Sequence, residues 1–294
     1  MPSRDPDTIV FTVNGTGDLT WAAAQRLGHQ EARSSSSGRS TDVLAPAAEP
    51  RIDGPVVDWA RHLAVNGLSV PLPTGSVVIL NVHGIGPVSR PLEPGEDRVW
   101  VTLDQFEQVL DTVAGRDDVR FTFDDGNASD VEIALPRLVE AKVKAEFFIC
   151  AGLLGEPGRV DADGVKELLA AGMRVGSHGW LHRDWRRVTE TEAQQEFVEA
   201  QRVIGDLIGS PVTAAAIPFG SYDRHVLRRL RPARLRRVYT SDGGPARPDT
   251  WLQPRTSLHK DLDQAWITRV RTDAAPLVRR TYRTAARAVK RWRG

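Results

Sequence analysis

The chain has 294 residues, 40% hydrophobic and 26% charged, a balance that can bury a full core in one large domain or two small ones. A net charge of +1 excludes a whole-molecule polyanion binder, so nucleic acid is not an expected partner, and a single cysteine, Cys150, excludes an internal disulfide framework. No window approaches the roughly 18 uninterrupted apolar residues of a spanning helix. The start MPSRDPDT lacks the basic-then-apolar pattern of a secretory signal, so a soluble cytoplasmic protein is the expectation.

Residues 1–30 read as a short segment without an assignable role: a strand from Thr8 to Val13, a glycine-rich turn, and a helix able to begin at Asp18. Residues 31–50, EARSSSSGRSTDVLAPAAEP, hold too few large apolar side chains to offset ordering entropy and are expected to be a flexible linker. The main domain is expected over 51–275. Ser76 to Val82 (SVVILNV) is a continuous apolar run, the pattern of a strand covered on both faces. Leu103, Phe106, Val109, Leu110 and Val113 form one helical stripe. Val119 to Phe123 alternates like a strand, Val131 to Ala141 returns to helical period, and Ala145 to Cys150 is a second buried strand. Val165 to Ala171 predicts a helix capped by Gly172, and Met173 to Gly176 a short strand. Thr189 and Glu192 form a capping box at the head of a long amphipathic helix reaching Ile208. Ala214 to Ile217 and Arg237 to Thr240 are later strands. Repeated strand-then-helix units predict a parallel sheet with helices outside, as a barrel or a doubly wound sheet, with chemistry at the strand C-termini. Residues 276–294 predict a basic amphipathic helix opened by Pro276. Val278, Tyr282, Ala285, Val289 and Trp292 lie on one face, Arg280, Arg283, Arg287 and Lys290 on another, with no acidic residue after Asp273.

Each strong polar signal falls where a predicted strand ends. FTFDDG (Phe121 to Gly126) sets two adjacent carboxylates after an apolar strand, an arrangement that opposes joint ionisation unless a cation stands between them and further ligands. Asp-Asp-Gly is also ordinary turn chemistry, and alone the motif leaves the two readings equal. SHGWLH (Ser177 to His182) places two imidazoles four residues apart, on the same side of a helical turn if that turn is helical. Two neutral imidazoles and a carboxylate make a three-ligand site with open positions, zinc being the first candidate among divalent ions. IPFG (Ile217 to Gly220) fixes a tight backbone able to aim the Phe219 amide at a reacting oxygen, or simply a turn. His83, in NVHGIG, ends the first strand and stands as a catalytic or a structural histidine.

FTFDDG, AEFFI, MRVGSHGWLH and IPFGSYD together, in this order and spacing, resemble successive motifs of the polysaccharide deacetylase superfamily over roughly Val77 to Ser257. The resemblance implies an α/β fold, a distorted (β/α) barrel of seven strands carrying a flexible N-terminal extension and a basic C-terminal helix. It implies Asp124 as general base, Asp125, His178 and His182 as ligands of one divalent metal, and the Phe219 amide at the oxyanion. NVHGIG looks like a circularly permuted branch that carries the catalytic acid on the first strand, which assigns that role to His83, with His259 in SLHKD as the weaker candidate. The departures concern the surroundings. Val82 replaces an aromatic, Asn127 a Pro, and Gly179 a Ser or Thr whose hydroxyl could brace the histidine loop. The Arg that usually pairs with the catalytic Asp is absent, with Ala215 and Ala216 in its region, so either Arg255 in QPRTS substitutes or Asp124 is tuned differently. Asp242 in YTSDGG is expected to orient a histidine or to serve a turn.

The expected activity is therefore metal-dependent removal of acetyl groups from an N-acetylated amino sugar in a glycan or glycolipid precursor. A metal hydrolase of a non-sugar amide and an inactive glycan-binding relative are the alternatives. The basic tail adds an expected contact with an anionic membrane surface, against the simpler expectation of a solvated helix closing the barrel.

Overall fold

The computed structural model describes residues 10–13, 19–22, 69–70, 75–263, 265–267, 275–276 and 287–292. The chain divides into two units, Met1–Arg51 and Ile52–Gly294. In the first, Val10–Val13 pairs antiparallel with Leu19–Ala22. The second segment is a strand where a helix from Asp18 was expected, because Leu19–Ala22 (LTWA) pairs residue for residue with Val10–Val13 and that pairing overrides helical propensity. The expected linker at 31–50 lies outside the described residues.

In the second unit the strand-then-helix pattern folds as a parallel barrel. Its strands are β1 (Val78–Val82), β2 (Val119–Phe123), β3 (Ala145–Ile149), β4 (Arg174–Ser177), β5 (Ala214–Ala216), β6 (Arg237–Thr240), β7 (Leu252–Pro254) and β8 (Thr256–Ser257). Their order is β7-β6-β5-β4-β3-β2-β1-β8, every neighbouring pair parallel. One residue, Arg255, separates β7 from β8. The first half of this last segment pairs with β6 and the second half with β1, so the sheet closes on itself. The eight segments thus occupy seven positions around the barrel, and the closing one carries no apolar run by which the sequence announces it.

Alternation along each strand sorts side chains into two layers. Leu80, Val82, Phe121, Phe123, Phe147, Val175, Ala215 and Val238 face the helices in the main core. Ile79, Phe148, Ala214, Ala216 and Tyr239 form a separate, smaller cluster that fills the barrel interior. Helix α1 (Leu103–Val113) begins at a capping box made by Thr102 and Gln105 and buries the predicted stripe from Phe106 to Val113. The long helix after Thr189 also has its predicted capping box, but a π-turn at Gln195–Glu199 interrupts it. A second π-turn, Asp130–Ala134, opens the helix that leads into Leu135–Glu140. Pro276, expected to start the C-terminal helix, instead lies in a two-residue strand paired with Ser69–Val70; the described part of that helix is 287–292. Among the described residues no helix is long and apolar enough to cross a membrane.

Asp130 is buried, and neither carboxylate oxygen meets a hydrogen-bond partner among the described residues. Burial, with Asp125 and Asp124 nearby, pushes its pKa well above the usual carboxylate value. The folded chain therefore keeps the Asp130 proton after the unfolded chain has lost it, and stability falls as pH rises above the ordinary carboxylate range. Asp130→Asn is expected to raise the thermal midpoint at pH 8, by an increment that shrinks towards zero as pH falls to 4. An increment independent of pH would show that the charge is not the cause.

Candidate metal and acyl-transfer site

The site lies at the C-terminal ends of the barrel strands. Asp124 and Asp125 follow β2, and His178 follows β4. The SHGWLH segment is a loop rather than the helical turn that would align its imidazoles. Gly179 and His182 adopt positive φ of 84° and 55°, and this backbone brings the second imidazole back beside the first, ring centroids 5.1 Å apart. Asp125, His182 and Phe219 are three of the five non-glycine residues with positive φ among those described, so strained backbone concentrates at this mouth. The Asp-Asp-Gly turn and the carboxylate site are one and the same structure.

Both imidazoles present Nε2 to Asp125 Oδ1 at 3.3 Å. Their other nitrogens are occupied. His178 Nδ1 faces the Ala216 carbonyl at 2.9 Å, which can only accept, so this nitrogen carries the proton. His182 Nδ1 faces Glu93 Oε2 at 3.0 Å. The three ligand atoms lie within 4.8 Å of one another, and Asp125 Oδ1 is buried without a well-aligned hydrogen-bond donor. A carboxylate and two imidazoles with inward lone pairs, each imidazole anchored behind by an acceptor, fit a divalent cation. The metal-free electrostatics agree. Burial opposes charge on His182, but Asp125 and Glu93 overcome it and lift its pKa to about 9. Burial opposes charge on Asp125 too, and the imidazoles hold it well below the carboxylate range. A cation replacing the His182 proton would meet a site already built for positive charge.

Asp124 belongs to a second network. Arg255 grips it in a bidentate pair, Nη1 to Oδ1 at 2.6 Å and Nη2 to Oδ2 at 2.7 Å, with the arginine fully buried. Asn81 Nδ2 donates to Asp124 Oδ2 at 2.9 Å, while Asn81 Oδ1 accepts from Thr122 and from Arg255, each at 2.8 Å. Phe148 and Tyr239 pack against the guanidinium with centroids 5.5 and 5.6 Å away. Burial alone would raise the Asp124 pKa; the charge and hydrogen bonds of Arg255, together with His178 and His83, outweigh it and hold the carboxyl at about 2. Of the two expectations for the missing motif arginine, the geometry shows Arg255 paired with Asp124. His83 Nε2 stands 3.9 Å from Asp124 Oδ2 and burial lowers its pKa, whereas His259 is an exposed residue on the wall of the same cavity. That cavity, about 800 Å³, is lined by His83, Asp125, His182, Phe219 and Arg255 among others.

Asp242 lines the cavity but holds no histidine. Its carboxylate takes the Tyr222 hydroxyl at 2.7 Å, the Thr240 hydroxyl at 2.9 Å and Lys290 Nζ at 2.7 Å. Its orienting role is therefore towards the rim of the mouth rather than towards an imidazole.

Three contributors escaped sequence reasoning. Asn81 lies two residues before His83, on the face of β1 that strand alternation turns inward, and that register was the available signal. Glu93 sits in the loop PLEPGED, where no periodicity marks it. Glu196 is buried, and its carboxylate accepts the Trp180 and Leu181 amides at 2.8 and 3.1 Å and the Trp185 indole at 3.1 Å. It braces the histidine loop in place of a hydroxyl at position 179, where a Cβ would overlap it. The π-turn through Gln195–Glu199 includes this carboxylate.

A closed parallel barrel thus carries at its C-terminal mouth an Asp-His-His group able to hold a metal ion, beside an arginine-clamped aspartate. Residues 112–238 match the family model for polysaccharide deacetylase. The match includes Asp124, Asp125, His178, His182 and Phe219 but stops short of His83 and Arg255 on either side. The chain is 30% identical over 114 residues to the peptidoglycan-N-acetylglucosamine deacetylase PgdA of Listeria monocytogenes, covering 38% of this chain and 23% of that protein. It is 24% identical over 142 residues to YxkH of Bacillus subtilis, covering 48% and 50%. The chain thus spans half or less of these curated relatives. The deacetylase PplD of Streptococcus pyogenes, solved with acetate, shares the fold with a TM-score of 0.59 at 19% identity, over 68% of this chain and 99% of that one.

Proposed function

We propose that this chain is a metal-dependent hydrolase that removes acetyl groups from N-acetylated amino sugars of a glycan or glycolipid. The observation that carries this reading is the juxtaposition of two separately tuned carboxylates, Asp125 facing two imidazoles and Asp124 clamped by Arg255. The names of the relatives support an acetylated sugar as substrate.

Asp125, His178 and His182 would hold the cation. Asp124, ionised and set just beside them, is the base for the attacking water. A carboxylate held at about 2 is a weak base, and a divalent cation held by Asp125, His178 and His182 would supply the Lewis acidity that makes water acidic enough for it. The Phe219 amide, aimed by a φ of 58°, meets the oxyanion as the tetrahedral intermediate forms. His83 is neutral at rest because burial lowers its pKa. It takes the proton from Asp124, whose Oδ2 stands 3.9 Å away, and as an imidazolium delivers it to the departing amine. Asn81, touching both Asp124 and, at 3.5 Å, His83 Nε2, keeps the two aligned.

The test is bound-metal content together with acetate release from N-acetylglucosamine oligomers and from lipid-linked acetamido sugars. The expected result is acetate release from at least one, lost on chelation. Glu93→Gln, which weakens the anchor behind His182, should raise the metal concentration for half-maximal activity by roughly 10- to 100-fold. A metal-free protein without activity would identify a glycan-binding relative, and bound metal without acetate from any sugar would identify a hydrolase of another amide.

A further inference from the structure

The C-terminal segment 287–292 is helical and packs beside the mouth of the site. Lys290 reaches Asp242 at 2.7 Å and the Gly220 carbonyl at 3.2 Å, and lies 5.1 Å from the Tyr222 ring centroid. Arg287 donates to the Gly243 carbonyl. Asp242 and Gly243 line the catalytic cavity, and Phe219 lines both that cavity and the neighbouring groove that Lys290 completes. The helix thus spends two of its basic residues on the rim, and this fixes which face points away from the barrel. That outer face carries Val289 at 54% exposure and Trp292 at 81%, with exposed Arg291 between them. A tryptophan so exposed, one helical turn from an exposed valine and flanked by arginines, is the composition of a membrane-interface helix, in which the indole enters the headgroup layer and the cations meet anionic lipid. Charge complementarity selects that occupant. Seven basic residues and no acidic one follow Asp273, in a chain whose net charge is only +1. The groove beside the helix adds one more exposed apolar side chain, Phe219 at 59% exposure.

We propose that the outer face of this helix, Val289, Arg291 and Trp292, docks on an anionic lipid surface and so holds the mouth of the cavity against it, where a lipid-borne acetamido sugar is presented. The membrane contact stands on the helix alone, while the orientation of substrate rests on the deacetylase reading above.

The experiment is co-sedimentation of the full chain with vesicles of phosphatidylcholine alone and of phosphatidylcholine with about one-third phosphatidylglycerol. Partitioning is expected onto the anionic vesicles only, weakening as salt rises. Two variants separate the contributions: Val289→Ser with Trp292→Ser removes the apolar anchor, and Arg291→Glu reverses a charge. Each should reduce binding by at least about tenfold. Thermal midpoints and acetate release from a soluble oligomer should stay at wild-type values, because none of the three residues touches the cavity. Absence of wild-type binding to anionic vesicles, or variants that bind as the wild type does, would overturn the proposal. Loss of a wild-type dimer in the Val289→Ser/Trp292→Ser variant would overturn it too, by making the face a contact between copies. Acetate release from neither the soluble oligomer nor a lipid-linked acetamido sugar would instead remove the deacetylase reading and leave the vesicle result standing.

Discussion

Asp124→Asn is expected to leave bound metal unchanged and to lower acetate release by roughly 10²- to 10⁴-fold, the usual contribution of a positioned general base. The side chain is nearly isosteric. Asn can still accept from Arg255 and Asn81 through its oxygen, so the mouth of the barrel keeps its shape, while the proton acceptor is gone. Metal content is expected to be preserved because the proposed protein ligands are Asp125, His178 and His182, and Asp124 Oδ2 stands 3.9 Å from His178 Nε2. The two measurements must be read together. Loss of metal along with activity would mean that the adjacent carboxylates have exchanged roles.

Arg255→Met is expected to cost stability of about 3–5 kcal/mol, because it leaves the Asp124 carboxylate buried without its counter-charge. Asp124 is buried at 1% exposure and Arg255 at 0%, so solvent does not screen the pair. The same substitution in an Asp124→Asn background should cost much less, and the difference between the two losses measures the coupling. Urea denaturation of the four proteins decides it. Equal losses in both backgrounds would place the value of Arg255 in its contacts with Phe148 and Tyr239 instead. The pH dependence follows from the sign of the shift. Asp124 has a folded pKa of about 2, depressed from its ordinary value, so the stability it brings is present above the ordinary carboxylate range and is lost as pH falls through about 2. The stability gap between wild type and Arg255→Met should therefore close in strong acid.

What the sequence made legible was what local patterns encode. β2, β3 and β6 carry enough apolar or alternating residues to be read within a residue of their ends, and α1 was bounded by its stripe. That Asp125, His178 and His182 would come together was legible because their segments follow strands, and a parallel barrel gathers strand C-termini at one mouth. The path of the histidine loop was not legible. Two left-handed residues, Gly179 and His182, bring the imidazoles together where helical spacing was expected, and positive φ at a histidine leaves no mark in a sequence. Leu252–Pro254 and Thr256–Ser257 were missed because they are too short and polar to show a period, yet they close the sheet. Glu93 and Glu196 act on the site through tertiary contact, from a loop and from a π-turn, and neither carries a local signal of its own.

The closure of the barrel has a consequence for how the chain matures. The residue at which the final strand crosses from one neighbour to the other is Arg255, and its guanidinium lies against Asp124, 131 positions earlier. Until Arg255 arrives, the aspartate has a neighbour of like charge and no cation, and the sheet has an open edge. Both deficits end in a single event of long sequence separation, among the slowest kinds of contact to form. A ribosome-bound chain that has not yet released Arg255 would hold neither a closed ring of strands nor a paired Asp124, and the two are completed together.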